Sequence, residues 1–410
     1  MIQNYFYSFL CLRVESWNYY HYNNIIKMKI LLKIIILLIF FPLIDLQKIY
    51  AEEKINIGLL IPLSGEHQEI GKSIMQSVRL AINKIDNSNI QIIPKDTKDD
   101  PARTLAAAKE LELKGVKIVI GPIFNKNLIY LDELKEMIFL SLTNKNIKNP
   151  KNVISAGINA NSQINTIIKF KNQNDINKTI FLIPDSDFKE EIENAISKSK
   201  IKLKYTHIYN TDPTKITKQI EKFTYYPQRK QNLIDEIKRL ENSNEENKDK
   251  KIENLKKLDT LGGINFDSVI VSDFDESLKS VFTSLLYTDV SPKRVYYITL
   301  NQWFDESFLK ETNLQPIYFP SINKKNYDKY INEYKEVYDD HPNQLSFLSY
   351  DLVGLVYYLI FQNNFVVDEK IFYKKNKFKG KIGIFDINQN KINHLLNFYK
   401  IENNEFKKIF

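Results

Sequence analysis

Ile55-Asn56-Ile57-Gly58-Leu59-Leu60-Ile61-Pro62-Leu63 is the stretch that decides the fold of this chain. It is a near-continuous apolar run, and such a strand, buried on both faces, belongs in a parallel sheet. Ser64-Gly65 turns the chain, after which Ile70, Ile74, Val78, Ala81, Ile82 and Ile85 recur at helical spacing. Ile90–Ile93 reads as a second strand. Asp99-Asp100-Pro101 opens a second helix with an acidic cap and a proline in the tolerant first turn; Gly115 ends it. Val116–Ile120 is a third strand, closed by Gly121-Pro122. This is βαβαβ, the half-unit of a doubly wound α/β domain.

The rhythm continues outward toward the C-terminus. Met137–Leu142, Val153–Gly157, Thr179–Pro184, Val269–Val271, Val295–Thr299, Ile382–Phe385 and Leu396–Ile401 read as strands. Ile164–Phe170, Phe188–Ser197, Leu278–Leu286, Tyr327–Tyr338 and Ser346–Phe361 read as helices between them. Residues 228–258 depart from this pattern. They are highly charged, with Leu233, Ile237 and Leu240, then Ile252, Leu255 and Leu258, at helical spacing around a polar run at 242–247. The spacing predicts an inserted helical hairpin, either a solvated pair packed on its lobe or a partner-binding arm.

Toward the N-terminus, residues 30–44 form the most apolar run, preceded by Lys27 and Lys29, with Lys33 inside it, and followed by Ala51 before Glu52 and Glu53. A basic start, a short apolar segment and a small residue before an acidic mature start predict a secretory signal ending at Ala51. The run is shorter than the ~20 residues that span a bilayer; the alternative is an uncleaved anchor. Met28 is a natural start, so residues 1–27 read as an upstream extension and 1–51 as extension plus signal. The expected location is the periplasm, without a lipid anchor, because no cysteine stands near the cleavage point.

Composition narrows the function. The 410 residues are 43% hydrophobic and 12% aromatic, enough for two packed domains. Lys+Arg 58 against Asp+Glu 50 leaves a formal +8, spread among interspersed acids, and gives no reason to invoke nucleic acid. The single cysteine, Cys11, lies in the leader, so the remainder has no disulfide, thiolate metal site or cysteine nucleophile. His67, His207, His341 and His394 are scattered, with no HExxH spacing and no adjacent nucleophile. With 11 glycines, no phosphate-cradling loop is present. No catalytic constellation, metal site or cofactor is expected.

Ile57–Gly65 and its following helix resemble the opening of type I periplasmic solute-binding proteins of the leucine/isoleucine/valine class. Asp99-Asp100-Pro101-Ala102-Arg103, with Gly115-Val116 and Ile120-Gly121-Pro122, resembles their next signature. Within that superfamily the chain is similar to the penicillin-binding-protein activator group. The matching segments are Leu140–Asn144, Tyr225-Tyr226 with Arg229, the 228–258 insert, Asp259–Asp267 and Asn301–Asp305. The resemblance implies a type I periplasmic-binding fold: two doubly wound parallel-sheet lobes joined by three crossings. The first lobe is expected at 54–157 and 296–386, the second at 158–295 and 387–410.

The resemblance also implies a cleft between the lobes. From the first lobe it would draw on Ser64, Asn125, Thr143 and Asn144. From the second it would draw on Phe188 and the acids Asp273, Asp275 and Glu276, suited to a ligand ammonium, with Trp303 as a stacking aromatic. The same acids have a plainer reading as caps of the following helix. In sum, the sequence leads to a non-enzymatic exported envelope protein that regulates peptidoglycan synthesis by contact with a synthase. The alternative is a solute receptor that delivers an amino acid or similar small polar ligand to an ABC permease.

Overall fold

The computed structural model describes residues 28–33, 54–87, 89–381 and 383–410. It separates into two compact units, Met1–Glu53 and Lys54–Phe410. In the first, residues 28–33 are an exposed helical stretch; the rest of the leader, including the expected cleavage after Ala51, lies outside the described residues. Among the described residues, no helix is long and apolar enough to cross a membrane.

The second unit opens with β1 (Ile55–Ile61), α1 (Gln68–Ile85), β2 (Ile90–Asp96), α2 (Pro101–Glu112), β3 (Ile118–Ile120), β4 (Ile138–Ser141) and β5 (Val153–Ser155). The five strands form one parallel sheet, ordered β2-β1-β3-β4-β5. β1 is buried on both faces, as its composition requires. Ile57, Leu59 and Ile61 join the core beneath α1, whereas Leu60 packs with Ala107, Ala108 and Leu111 of α2. A Cβ on Gly71 would stand 1.7 Å from the Pro62 carbonyl oxygen, so glycine is what lets α1 close on the end of β1.

The second lobe follows with α3 (Ala160–Gln173), β6 (Thr179–Pro184), α4 (Lys189–Ser199), β7 (Tyr205–Tyr209) and α5 (Pro213–Phe223). The insert is a helical hairpin, α6 (Tyr226–Glu241) and α7 (Lys248–Leu255). Leu233, Leu240 and Ile252 are its buried stripe, but Leu258 lies beyond α7 and is 48% exposed. After it come β8 (Ser268–Val271), α8 (Asp275–Tyr287), β9 (Tyr296–Thr299) and β10 (Ile317–Ser321). The sheet has seven strands in the order β15-β14-β10-β9-β8-β6-β7. Its core strands are parallel; β14 (Asn397–Glu402) and β15 (Glu405–Lys408) add an antiparallel edge.

This topology corrects the expected lobe boundary. The sequence reading started the return to the first lobe at residue 296, yet β9 and β10 pair inside the second sheet. An apolar strand announces burial but not which sheet buries it; here Tyr297 stacks on Phe282 of α8 and fixes β9 in the second lobe. The return is made by α9 (Lys324–Tyr338) and α10 (Ser346–Gln362). They reach α1 through Tyr330, whose hydroxyl donates to Ser77 Oγ at 2.9 Å, and Tyr334, whose hydroxyl donates to Gln76 Oε1 at 2.6 Å. A separate antiparallel sheet, β11 (Asn376–Lys379), β12 (Ile384–Asn388) and β13 (Lys391–His394), follows, with β13 against β5. The chain therefore crosses between lobes near residues 156–159, 322–323 and 395–396.

Candidate functional site

A cleft of about 600 Å³ opens where strands of both sheets end. From the first sheet, the segments after β3 (123–126), β4 (142–145) and β5 (157–158) line it; from the second, Asp187 after β6, Phe274 after β8, and Asn301 and Trp303 after β9. These segments follow strand carboxyl ends, the place where open parallel sheets bind ligands, and Gln163 of α3 with Leu345 and Leu348 at the start of α10 complete the lining. The size is that of small-molecule sites, ~300–1,000 Å³.

The first-lobe wall is cross-tied. Ser141 Oγ donates to the Pro122 carbonyl at 2.8 Å, which joins the loops after β3 and β4. Thr143 is buried, and its Oγ1 accepts the Lys145 N–H at 3.2 Å. Asn125 Nδ2 donates to Asn149 Oδ1 at 3.0 Å, while Asn144 is exposed. Lys126 forms an ion pair with Asp99 at 2.7 Å; Lys145, by contrast, has no acidic partner among the described residues.

The second-lobe wall turns on Asn301, which is 2% exposed. Its Oδ1 accepts the Trp303 N–H at 3.0 Å and the Ser321 hydroxyl at 2.6 Å, and its own N–H donates to Gln163 Oε1 at 2.6 Å. Its side-chain Nδ2 is buried without a hydrogen-bond partner among the described residues. A buried donor left unmade costs about 1–3 kcal/mol, so the cleft wall carries an unmet demand for an acceptor. Trp303 (φ 52°) and Phe304 (φ 59°) are both in the left-handed region, and Trp303 packs edge-on against Phe347, 5.2 Å between centroids. Backbone strain of this kind clusters at ligand clamps.

Of the residues expected from the sequence, Asn125, Thr143, Asn144 and Trp303 meet in the cleft; Ser64, Phe188, Asp273, Asp275 and Glu276 do not line it. Ser64 Oγ donates to Asp96 Oδ2 at 2.6 Å, tying the ends of β1 and β2. Phe188, partly buried, packs against the second-lobe core cluster instead. Asp273 is spent within its own lobe, accepting from the Ser277 hydroxyl at 2.5 Å, the Phe274 N–H at 2.9 Å and the Tyr209 hydroxyl. Burial, and then the charge on Asp273, push the Tyr209 phenol far above its ordinary range. Asp275 and Glu276 are exposed acids in the first turn of α8, where they complement the helix dipole, and Glu276 pairs with Lys279 at 2.7 Å. The acid that does reach the cleft is Asp187, which has no ion-pair partner among the described residues. Asp187, Lys145, Gln163 and Asn301 were not singled out as site residues from the sequence. The available signal was their position immediately after strands or at a helix start. Among the described residues, no group of three or more His, Cys, Asp or Glu could hold a metal ion.

A family model described as periplasmic binding protein matches residues 54–224. No curated protein matches significantly. Among solved structures, the chain is similar to the leucine-binding protein LivK of Thermotoga maritima, at 13% identity and TM-score 0.54, covering 87% of this chain and 98% of that one. It is similar to the C-domain of LpoA from Haemophilus influenzae, a regulator of PBP1A, at 17% identity and TM-score 0.57, covering 87% and 100%. It is also similar to a putative branched-chain amino acid ABC transporter protein of Rhodospirillum rubrum, at 13% identity and TM-score 0.64, covering 87% and 99%. Identities this low carry the fold alone. That fold is the type I periplasmic-binding fold, and the structures that share it here include both solute-binding proteins and a regulator of PBP1A.

Proposed function

We propose that the protein is an exported, non-enzymatic solute receptor whose lobes close on a small polar ligand, an amino acid or a close analogue, and present it to an importer. The observation that carries this reading is Asn301, nearly inaccessible on the cleft wall with Nδ2 unpaired. A ligand oxygen there removes the desolvation cost of that donor. Lys145 from the first lobe and Asp187 from the second, without ion-pair partners among the described residues, are charges of opposite sign on separate walls, an arrangement suited to a zwitterion. The acid expected for the ammonium, Asp273, is replaced in that role by Asp187.

Thermal unfolding with each common amino acid at millimolar concentration tests the reading. At least one should raise Tm by mass action, and Lys145→Gln and Asp187→Asn should diminish that rise without lowering the ligand-free Tm. If no amino acid moves Tm, the receptor reading fails.

A second reading is favoured by the α6–α7 hairpin. Its outward face is dense in lysine and glutamate, and the chain spans the whole LpoA C-domain it resembles. Charge of that kind orients a partner more than it supplies affinity. On this reading the protein contacts a peptidoglycan synthase, and the cleft is secondary.

A further inference from the structure

A second cavity, about 460 Å³, lies beside the β4–β5 connection and is distinct in chemistry from the cleft. Its walls come from four parts of the fold: the 146–155 segment, α3, the C-terminal end of α4, and the β12–β13 turn. Three lysines line it, Lys151, Lys198 and Lys391, and no acidic side chain does. None of the three has an ion-pair partner among the described residues. Two acids that bond the adjoining 146–148 segment are engaged there. Glu191 accepts the N–H groups of Asn146 and Ile147 at 2.9 and 3.2 Å, and Glu190 pairs with Lys148 at 2.6 Å.

The rest of the lining is mostly amide. Asn161 and Asn165 sit one turn apart on α3 and make no side-chain hydrogen bond among the described residues. Asn390, at φ 55° in the β12–β13 turn, has its side-chain Oδ1 buried and unpaired. Primary amides offer both donors and an acceptor, which matches hydroxyl and acetamido groups, and lysine ammoniums match carboxylate. The apolar part of the lining is Pro150, Val153 and Ile392, with no aromatic ring, so neither a nucleobase nor another flat ring finds a stacking surface.

We propose that this cavity binds a sugar acid, a polyhydroxylated ring carrying a carboxylate, with the lysines on the carboxylate and the asparagines on hydroxyl or acetamido groups. Such a ligand would touch both lobes and the β12–β13 turn at once, so its binding would favour one angle between lobes. The inference stands on these residues alone and is independent of the cleft reading.

Titration calorimetry on the full chain tests it with four probes: glucuronate, N-acetylmuramate, N-acetylglucosamine and inorganic phosphate. Binding of glucuronate, N-acetylmuramate or both, at least tenfold tighter than N-acetylglucosamine and phosphate, is the expected result. Affinity should fall as salt rises. Binding of N-acetylmuramate alone identifies a cell-wall glycan as the source, whereas equal binding of glucuronate identifies free sugar acids. Lys151→Gln/Lys391→Gln should lose about tenfold or more, one charge-assisted contact being worth that much, and Asn161→Leu/Asn165→Leu should lose about tenfold for two neutral hydrogen bonds together. Both should keep the melting temperature of the parent. Equal or tighter binding of phosphate would reduce the cavity to a general anion site, and equal binding of N-acetylglucosamine would remove the lysines from recognition. Absence of binding by all four overturns the proposal outright.

Discussion

Arg229, at the root of the α6–α7 hairpin, and His394, at the end of β13, are almost wholly buried, at 5% and 3% exposure. Each fastens an outlying piece of chain to the body of the molecule. Arg229 does so as a charge. Its Nε donates to the Thr224 carbonyl at 3.0 Å, Nη1 to Thr260 Oγ1 at 3.0 Å, and Nη2 to the Thr288 carbonyl. Asp289 stands 3.8 Å from Nη1 and accepts the Thr260 hydroxyl at 2.5 Å. His394 does so as a neutral ring. A carbonyl only accepts, so Nε2 carries the proton it shares with the Ala156 oxygen at 2.8 Å. Its N–H donates to Ser162 Oγ at 2.8 Å, Ser162 donates to Asn159 Oδ1 at 3.0 Å, and Asn159 Nδ2 donates to the Ile392 carbonyl at 3.0 Å. One cluster surrounds a permanent cation with acceptors; the other, where the first and third crossings meet, excludes charge. The first should therefore respond to mutation and hardly to pH, the second to both.

The largest effect expected is at Arg229. Arg229→Met keeps the aliphatic bulk but leaves the Thr224 and Thr288 carbonyls and the Thr260 hydroxyl without their donor, while Asp289 keeps its contacts with Thr260 and Arg294. Buried acceptors left unmade cost about 1–3 kcal/mol each, to be read as a fall in the urea midpoint. A loss below about 1 kcal/mol would mean that the hairpin root is held by Leu233 and Leu240 and not by the guanidinium.

His394 sharpens the comparison through pH. Burial holds its pKa down to about 4, partly opposed by the hydrogen bonds to Ala156 and Gly157. Its ordinary value is about 6.5, so between the two the unfolded chain binds more protons than the folded one, and stability rises with pH there. The contribution is fully present above pH ~6.5 and is lost as pH falls toward the folded value, a change on the order of 3 kcal/mol. Denaturant unfolding between pH 4 and 7.5 should show this slope, and His394→Gln should flatten it while costing about 1 kcal/mol at pH 7.5. An unchanged slope in the variant would assign the acid sensitivity to other groups.

These clusters also mark where the sequence stopped being legible. β1 was readable because burial on both faces writes itself as an unbroken apolar run. β7 was not: an edge strand half open to solvent, it alternates Tyr205, Thr206, His207 and Ile208 and lacks that run. β10 carries Pro320, which reads as a break, yet it pairs with β9 and β14. The sheet that claims β9 is a long-range matter, invisible to periodicity. In the cleft, Thr143 and Asn125 were placed by the resemblance to solute-binding proteins, and both line it. Asp273 was placed there by the same resemblance, and a single residue defeated it. Phe274 faces the cleft while Asp273 turns toward Tyr209 and Ser277, and nothing local in the sequence distinguishes the two. Lys145, Asp187 and Asn301 matter because of what fails to pair with them, which only the folded surroundings reveal.

The smallest effect is expected at the far end of the hairpin, where charge is again dense but burial is gone. Glu245 accepts from Arg239 Nη1 at 2.6 Å and Lys251 Nζ at 2.8 Å, and Arg239 also meets Glu236 through two contacts of 2.8 Å. The hydrogen bonds from Lys251 and Arg239 hold the Glu245 carboxyl down to about 2. All these groups are open to water, where screening and side-chain entropy cancel most of what such geometry promises. Glu245→Gln should therefore leave the urea midpoint within error at any salt concentration, in contrast to Arg229→Met. That difference also dictates how the partner reading is tested. Removing 228–258 entirely would delete Arg229, Leu233 and Leu240 and confound contact with folding. Replacing only 242–257 by a short Gly/Ser turn spares Arg229, Leu233 and Leu240. A stable protein that then loses capture of a class A peptidoglycan synthase, seen by surface plasmon resonance, would locate the contact at the tip. Retained capture would move the contact surface elsewhere, and no capture by the intact chain would leave the cleft as the functional centre.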